Sequence, residues 1–535
     1  MHIDARHLDD QSHIEGDICI VGAGAAGISI ALQWINTPYK VILLEGGGFE
    51  YDDRVQELYR GKTTGQKYYP LKSSRLHYFG GTTGHWGGFC SVFEPVVFQK
   101  RDWVNESGWP FTHKELEQFY KRAHDVLDIG EYGFELDHWL KQDSSLVPLP
   151  LDKDVFYSKI WRFRYPSAMR FGTDYRDAIV NAKNIHLYNY ANVTEIHTNE
   201  SVSAVTEMTV KNYAGKTHTV SAKYFVLAGC AIQNARLLLA SGKQASNGLG
   251  NDYDLVGRYF MENAEIKSAE LWLRERSELK LYMRNSEPNV RAELAMTPQK
   301  QEELKILNGI LSFTPLEKAR KTPPYISSWS SEDPREDKQK IAEINEQATE
   351  EKNRIVKLFE EDGYESFEIT LRLEQVPNSS SRVTLDNEKD ELGVPRAHLH
   401  WAFTPLEKRS IRTIYTLLGQ QVGAKGIGRV KLLEDIQDEK DDNMPASTSG
   451  GWHHQGTTRM SDDPRKGVVD ADCKVHGIHN LYIAGSSCFP NGGAVNPTFT
   501  IVALSIRLSD HLKQIIQTEN ISDMVRTGRK HKKHS

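Results

Sequence analysis

Asp17-Ile18-Cys19-Ile20-Val21-Gly22-Ala23-Gly24-Ala25-Ala26-Gly27 is a short β-branched apolar run that opens directly into glycines at GxGxxG spacing. The apolar stretch Ile28 to Trp34 follows, so the segment reads as strand, tight turn and helix. The three glycines tighten the turn, let the backbone approach a pyrophosphate, and let the helix pack on the strand. The helix N-terminus then faces the phosphates with free amides and a partial positive charge. A second strand, Lys40-Val41-Ile42-Leu43-Leu44, ends at Glu45, eighteen residues beyond Gly27. A carboxylate there accepts hydrogen bonds from ribose hydroxyls and disfavours a ribose phosphate. A plain glycine turn explains neither Glu45 nor the strand and helix around it. Gly22, Gly24, Ala25, Ala26, Gly27 and Glu45 are therefore read as an adenine-dinucleotide site.

Two later segments repeat the pattern. Tyr224-Phe225-Val226-Leu227-Ala228-Gly229 is a buried strand with a helix expected over Asn234 to Ser241, and Asn480-Leu481-Tyr482-Ile483-Ala484-Gly485 is another, with a long helix expected over Thr498 to Leu512. Such units, hundreds of residues apart, predict one discontinuous α/β domain whose strands return to a common sheet. Between about Glu265 and Val430 the pattern changes to alternation: Leu271 to Met283, Ser366 to Gln375, Arg382 to Asp386 and Ala397 to Trp401. That predicts an antiparallel sheet with one wet face. The dense Glu/Lys/Asp/Gln run Ser331 to Asp362 reads as a solvated surface helix or loop, with a lid or subunit contact as the alternative. Arg526 to Ser535 reads as a disordered basic end.

A late strand-turn at Leu481 to Gly485 suits contact with the middle of a long, permanently held dinucleotide, which favours FAD over NAD. The fold class expected is α/β, a discontinuous Rossmann-like FAD-binding domain with a second α+β substrate domain on an antiparallel sheet. The expected division assigns residues 12–95, 165–262 and 447–516 to the FAD-binding domain. Residues 96–164 form a cap and substrate-domain segment, 263–446 the substrate-binding domain and 517–535 a tail.

The chain's 535 residues, 39% hydrophobic and 26% charged, fit a globular enzyme of several units. A net charge of -6 argues against nucleic acid as partner. Five scattered cysteines, Cys19, Cys90, Cys230, Cys473 and Cys488, form neither a disulfide framework nor a zinc pattern, and no metal is expected. Met1 to Glu15 lacks the apolar core of a signal peptide, and no apolar run approaches a membrane span. The cytoplasm is the expected compartment, though export on a partner subunit's signal would leave no trace in this chain.

Phe79-Gly80-Gly81-Thr82-Thr83-Gly84-His85-Trp86-Gly87-Gly88 holds five glycines in ten residues, a sign of close backbone approach to something flat or charged. An isoalloxazine ring is the natural candidate, placing Gly81, Thr82, His85, Trp86 and Gly87 against the cofactor. Two roles stand open for His85: a structural hydrogen-bonder, or a covalent link to the methyl group on the flavin's benzenoid ring.

The fingerprint Gly22 to Gly27, the Gly80 to Gly88 segment, Ser107-Gly108-Trp109-Pro110-Phe111, Tyr224 to Ser241, His453 to Met460 and Gly485 to Pro497 together resemble the glucose-methanol-choline (GMC) oxidoreductases, from about residue 16 to 515. The resemblance is nearest the branch holding pyranose oxidases and sugar dehydrogenases, where a histidine matching His85 can carry the flavin. It implies that Val193, Ala228, Gly485, Ser486, Asn496, Pro497 and Thr498 also line the FAD site. In Trp452-His453-His454-Gln455-Gly456-Thr457-Thr458, His453 matches the family's catalytic histidine, and Asn496 matches the second catalytic position. A histidine titrates near neutrality and can take a hydroxyl proton, while an amide can donate to the substrate oxygen but cannot act as base. His454 competes for the role of base, and two structural histidines in a polar turn are the bland reading. Two departures from the family, Gly485-Ser486-Ser487 where many flavoproteins have Gly-Asp and Asn263 where relatives often show histidine, are expected to stay clear of the proton and hydride chemistry.

The resemblance implies FAD-dependent oxidation of a secondary alcohol, a ring hydroxyl of a sugar or glycoside, to a ketone. Oxygen, a quinone or a cytochrome can serve as electron acceptor, the last two making the enzyme a dehydrogenase. A flavin-holding protein without catalysis is the alternative of another class, and self-association stays open.

Overall fold

The computed structural model describes residues 1–243, 245–274, 279–283, 289–316, 365–436 and 443–531. The charged run Ser331 to Asp362 lies outside the described residues.

The strand His13–Val21, which leads into the glycine turn, lies inside an eight-stranded sheet. It pairs in parallel with Val41–Leu44 on one side and Thr217–Leu227 on the other. Ile185–Asn189 and then His2–Asp4 extend the sheet beyond Val41–Leu44. The last residues of Thr217–Leu227 pair in parallel with Leu481–Ile483, while its first residues carry the antiparallel pair Val205–Lys211 and Asn192–Thr198. Strands buried on both faces need apolar residues at every position, not every second one. Ile18 to Ile20, Val41 to Leu44 and Phe225 to Leu227 accordingly stand at 1% exposure or less. Gly22 turns at φ 105°, and a Cβ at Gly27 would fall 1.9 Å from the Gly22 carbonyl oxygen, so helix Ala25–Trp34 can seat on its strand only with glycine there.

A second, antiparallel sheet runs in the order Gly428–Leu432, Ala264–Leu273, Glu365–Leu373, Gly309–Pro315, Val290–Met296 and Phe156–Arg162, with Ser449–Gly450 beside the start of Ala264–Leu273. The molecule is thus a discontinuous Rossmann-like α/β unit with an α+β unit on an antiparallel sheet. Three expectations change. Arg382–Lys389 and Pro395–Trp401 do not join the large sheet; they pair with each other, and Pro395–Trp401 pairs in parallel with Lys62–Gly65. Pro377, which lacks an amide for a ladder, follows the end of Glu365–Leu373 and separates the two sheets. The strand expected over Leu271 to Met283 is instead Ala264–Leu273, and Lys280–Met283 is helical. The helix expected over Thr498 to Leu512 continues to His531, with no proline in it and no glycine before Gly528 to stop it. The backbone of the tail is therefore helical through His531, where a disordered end was expected from Arg526.

Thr498–His531 packs against Ala25–Trp34 and His113–Leu127, with Tyr120 Oη and Thr500 Oγ1 2.8 Å apart. No helix among the described residues is long and apolar enough to cross a membrane.

Candidate active site

A cavity of about 740 Å³ opens where the parallel strands end and reaches the antiparallel sheet. Gly22, Gly24, Ala25, Ala26, Glu45, Gly81, Thr82, His85, Trp86, Gly87, Ala228, Gly485, Ser486, Asn496, Pro497, Thr498 and His453 all line it. Two expected cofactor residues do not. Gly27 is spent on helix packing, and Val193 is half-buried on the strand Asn192–Thr198, outside the lining.

Glu45 ties the second strand to the glycine turn: Oε2 accepts from the Ala23 amide and Oε1 from the Gly47 amide, both at 2.9 Å. Burial raises its pKa and those amides oppose the shift. The Gly81 to Gly87 loop is buttressed from Arg170, whose Nη1 donates to the Thr83 and Trp86 carbonyls at 3.1 and 2.7 Å. Trp86 Nε1 donates to the Met169 carbonyl at 2.6 Å. His85 is exposed beside them, and its ring makes no hydrogen bond among the described residues. Partial desolvation, with Arg170 nearby, pulls its pKa down.

Arg75 was not anticipated, since a lone arginine in Ser73-Ser74-Arg75 carries no motif. It is 2% exposed, lines the cavity, and lies with its guanidinium 4.3 Å from the centre of the Tyr59 ring. Nη1 donates to the Leu71 carbonyl at 3.0 Å and Nη2 to Gln233 Oε1 at 3.3 Å, while buried Nε has no partner and no carboxylate pairs with it among the described residues. A buried cation without a counter-ion is costly unless an anion arrives. At Gly24 an added Cβ would meet nothing within 4 Å. The open glycine turn, two helix N-termini at Ala25 and Thr498, and Arg75 fit a ligand bearing phosphates.

At the other end, His453 and Asn496 meet. Asn263 Nδ2 donates to the Gly493 carbonyl at 2.6 Å, so its Oδ1 is turned to accept from His453 Nδ1 at 2.9 Å. That puts the imidazole proton on Nδ1 and makes Nε2, with its lone pair, the ring's acceptor. Asn496 is oriented in the same way. Its Oδ1 accepts from Trp161 Nε1 and Arg372 Nη1, each at 3.1 Å, and Nδ2 therefore points to His453 Nε2 at 3.3 Å. A lone pair and an amide hydrogen converge there, the arrangement that takes a proton from a hydroxyl and donates back to its oxygen. Burial, helped by the Arg372 cation, lowers the His453 pKa to about 3, so the ring is neutral at any ordinary pH. Asn263, expected to stay clear of the chemistry, instead sets the His453 tautomer. The expectation failed because the pairing spans 190 residues of chain and no local pattern records it.

His454 also borders the cavity but is turned to another task. Its Nε2 lies 2.8 Å from Tyr68 Oη, which donates to Glu262 Oε1. Glu262 Oε2 accepts from the His453 amide at 2.8 Å, and burial lifts this carboxyl to about 8.

Residues 377–505, which include His453 and Asn496, match the GMC oxidoreductase family model. The chain is 23% identical to the 2-methyl-1,2-propanediol dehydrogenase of Mycolicibacterium austroafricanum over 93% of its own length and 95% of that protein's. It is 26% identical to a C-glycoside 3-oxidase of Arthrobacter globiformis, covering 80% of this chain and 72% of that one. Among solved structures, a formate oxidase superposes with a TM-score of 0.57 at 18% identity, over 96% of this chain and 100% of that one. With the discontinuous dinucleotide fold and the convergent site, these findings mark the chain as an FAD-dependent oxidoreductase that acts on CH-OH groups, with residues 377–505 matching the GMC oxidoreductase family.

Proposed function

We propose that this enzyme oxidises a secondary alcohol, a ring hydroxyl of a sugar or glycoside, to a ketone, with His453 and Asn496 as its catalytic pair. The observation that carries the reading is the convergence of His453 Nε2 and Asn496 Nδ2 at one end of the FAD cavity. His453 Nε2 takes the hydroxyl proton, and Asn496 Nδ2 donates to the same oxygen as negative charge builds on it. Bound FAD supplies the hydride acceptor. Arg372 reinforces Asn496 from behind through its contact with Oδ1. Of the two relatives described above, the glycoside oxidase supports a sugar-like substrate, and the diol dehydrogenase supports oxidation of an alcohol.

The test is an anaerobic visible-spectrum titration of the FAD-loaded protein with monosaccharides, glycosides and simple alcohols, followed by air. Bleaching by sugars or glycosides is expected. Rapid recolouring in air identifies an oxidase, and slow recolouring a dehydrogenase that needs a quinone or cytochrome. A flavin that no sugar bleaches would dismiss the substrate class, and one that nothing bleaches would leave a non-catalytic flavin protein.

A further inference from the structure

Beyond the catalytic pair, the cavity wall carries a carboxylate and an indole that the proton and hydride chemistry does not use. Glu265 follows Asn263 by two residues at the start of the strand Ala264–Leu273, and alternation along extended chain puts both side chains on one face. Its direct partner across the ladder is Arg372, which shares that face. Arg372 Nη2 donates to both oxygens of Glu293, at 3.3 and 3.2 Å, and Nη1 to Asn496. Only its Nε approaches Glu265, at 3.9 Å, beyond hydrogen-bond length. Lys267 pairs with Glu368 at 3.1 Å. Arg372 is thus hydrogen-bonded to Glu293, which Arg291 Nη2 also approaches at 3.4 Å, and not to Glu265. Glu265, with a side chain 33% exposed, lines the cavity with acceptor sites to spare.

Trp452 lines the same cavity. It is 39% exposed and held at φ 58°, a left-handed backbone that a bulky side chain rarely adopts. Strain of this kind clusters at ligand sites. The Tyr69 ring backs the indole with centroids 5.2 Å apart and planes 33° from parallel, and Tyr69 Oη donates to the Gly450 carbonyl at 2.9 Å. Ser449–Gly450 pairs with Glu265 and Ala264, so the segment carrying Trp452 and His453 emerges beside the carboxylate.

We propose that Trp452 and Glu265 form a substrate subsite, in which the indole stacks on the C–H face of a pyranose ring and the carboxylate accepts a hydrogen bond from a hydroxyl neighbouring the one that His453 deprotonates. The subsite rests on the sugar-oxidising reading and narrows it to neutral pyranosides. A uronate is repelled by Glu265, and an open-chain alkanol offers neither a flat face nor a second donor.

The experiment compares wild type with Glu265→Gln, Trp452→Ala and Trp452→Phe on a methyl glycoside and on the matching methyl glycosiduronate. It measures kcat and KM by flavin bleaching and equilibrium binding by calorimetry, with folding checked by circular dichroism and FAD content. Glu265→Gln is expected to raise KM and Kd for the glycoside about ten-fold by weakening a charge-assisted hydrogen bond, and to narrow the preference over the uronate. Trp452→Ala should also weaken glycoside binding about ten-fold, and Trp452→Phe should recover most of it. Unchanged glycoside KM and Kd in folded Glu265→Gln and Trp452→Ala, with wild type still bleached by the glycoside, would overturn the subsite and leave the sugar reading standing. A wild type that neither binds nor is bleached by any glycoside would overturn both.

Discussion

At the scale of single residues, the proposed chemistry depends on how two amides are turned. Asn263→Ala removes the acceptor of His453 Nδ1, frees the tautomer and leaves a polar proton without its partner. Flavin reduction should slow by roughly ten- to a hundred-fold with KM little changed, since the loss falls on the reacting geometry; stopped-flow bleaching under anaerobic conditions checks this, and an equal rise in KM would point to a binding role instead. His453→Ala, which removes the proposed base, should keep its FAD and lose roughly 10² to 10⁴ in the same rate. Near-normal reduction would shift the base elsewhere, with His454 the first candidate despite its contact with Tyr68. His85 poses a separate question. Its exposed, unbonded ring favours the covalent role over the structural one, so acid-precipitated wild-type protein should stay yellow while His85→Ala releases its flavin. Free flavin from the wild type would dismiss the linkage.

At the scale of elements, one helix start carries a pH-dependent load. Helix Pro405–Ala424 begins with a capping box in which Thr404 and Glu407 satisfy each other's backbone amides, and Glu407 Oε1 also accepts from the Val376 amide at 2.9 Å. Burial lifts the Glu407 carboxyl to about 7 from an ordinary 4.5. The folded state therefore holds this proton more tightly than the unfolded chain does, and the contribution to stability falls as pH rises from about 4.5 to about 7. His453 acts in the opposite sense. With a folded pKa near 3 against 6.5 unfolded, it costs stability as pH falls below 6.5. In urea titrations from pH 4.5 to 7, Glu407→Gln should flatten the alkaline decline relative to wild type, and an unaltered pH profile would remove Glu407 as its source. Thr404→Ala should cost about 1 kcal/mol at any of these pH values, a loss of capping alone.

The whole molecule is held by contacts between segments far apart in sequence. Arg101 Nη1 and Nη2 donate to Glu374 at 2.8 and 2.6 Å, with both side chains at 2% exposure or less. Glu374→Ala leaves a buried guanidinium without a partner and should destabilise by about 3–5 kcal/mol in denaturant unfolding; a loss below about 1 kcal/mol would show that water reaches the pair. The cavity makes FAD itself part of the stability. Flavin-stripped His85→Ala protein should melt several degrees below its reconstituted form, because a ligand that binds only the folded state adds stability with its concentration. Arg75, a cation without a counter-ion inside that cavity, gives the gap an electrostatic cause.

Short-range sterics made much of this protein readable from its sequence. The Gly22 to Gly27 turn, the apolar strands beside it and Glu45 at the second strand's end are local features, because backbone clash and two-faced burial act on neighbouring residues. They sufficed for the α/β fold, for FAD as the cofactor and, with the His453 and Asn496 motifs, for the class of chemistry. Pairings across the chain were not readable. The Arg382–Lys389 and Pro395–Trp401 strands alternate like those of the large sheet, yet they pair with each other, and Pro395–Trp401 pairs with Lys62–Gly65, over 300 residues away. Asn263 on His453, Arg372 on Asn496, and Arg75 in the cavity likewise follow from strand register and chain crossing. Hydrogen bonds and buried charges are satisfied in space, and only the folded chain determines which residues meet there.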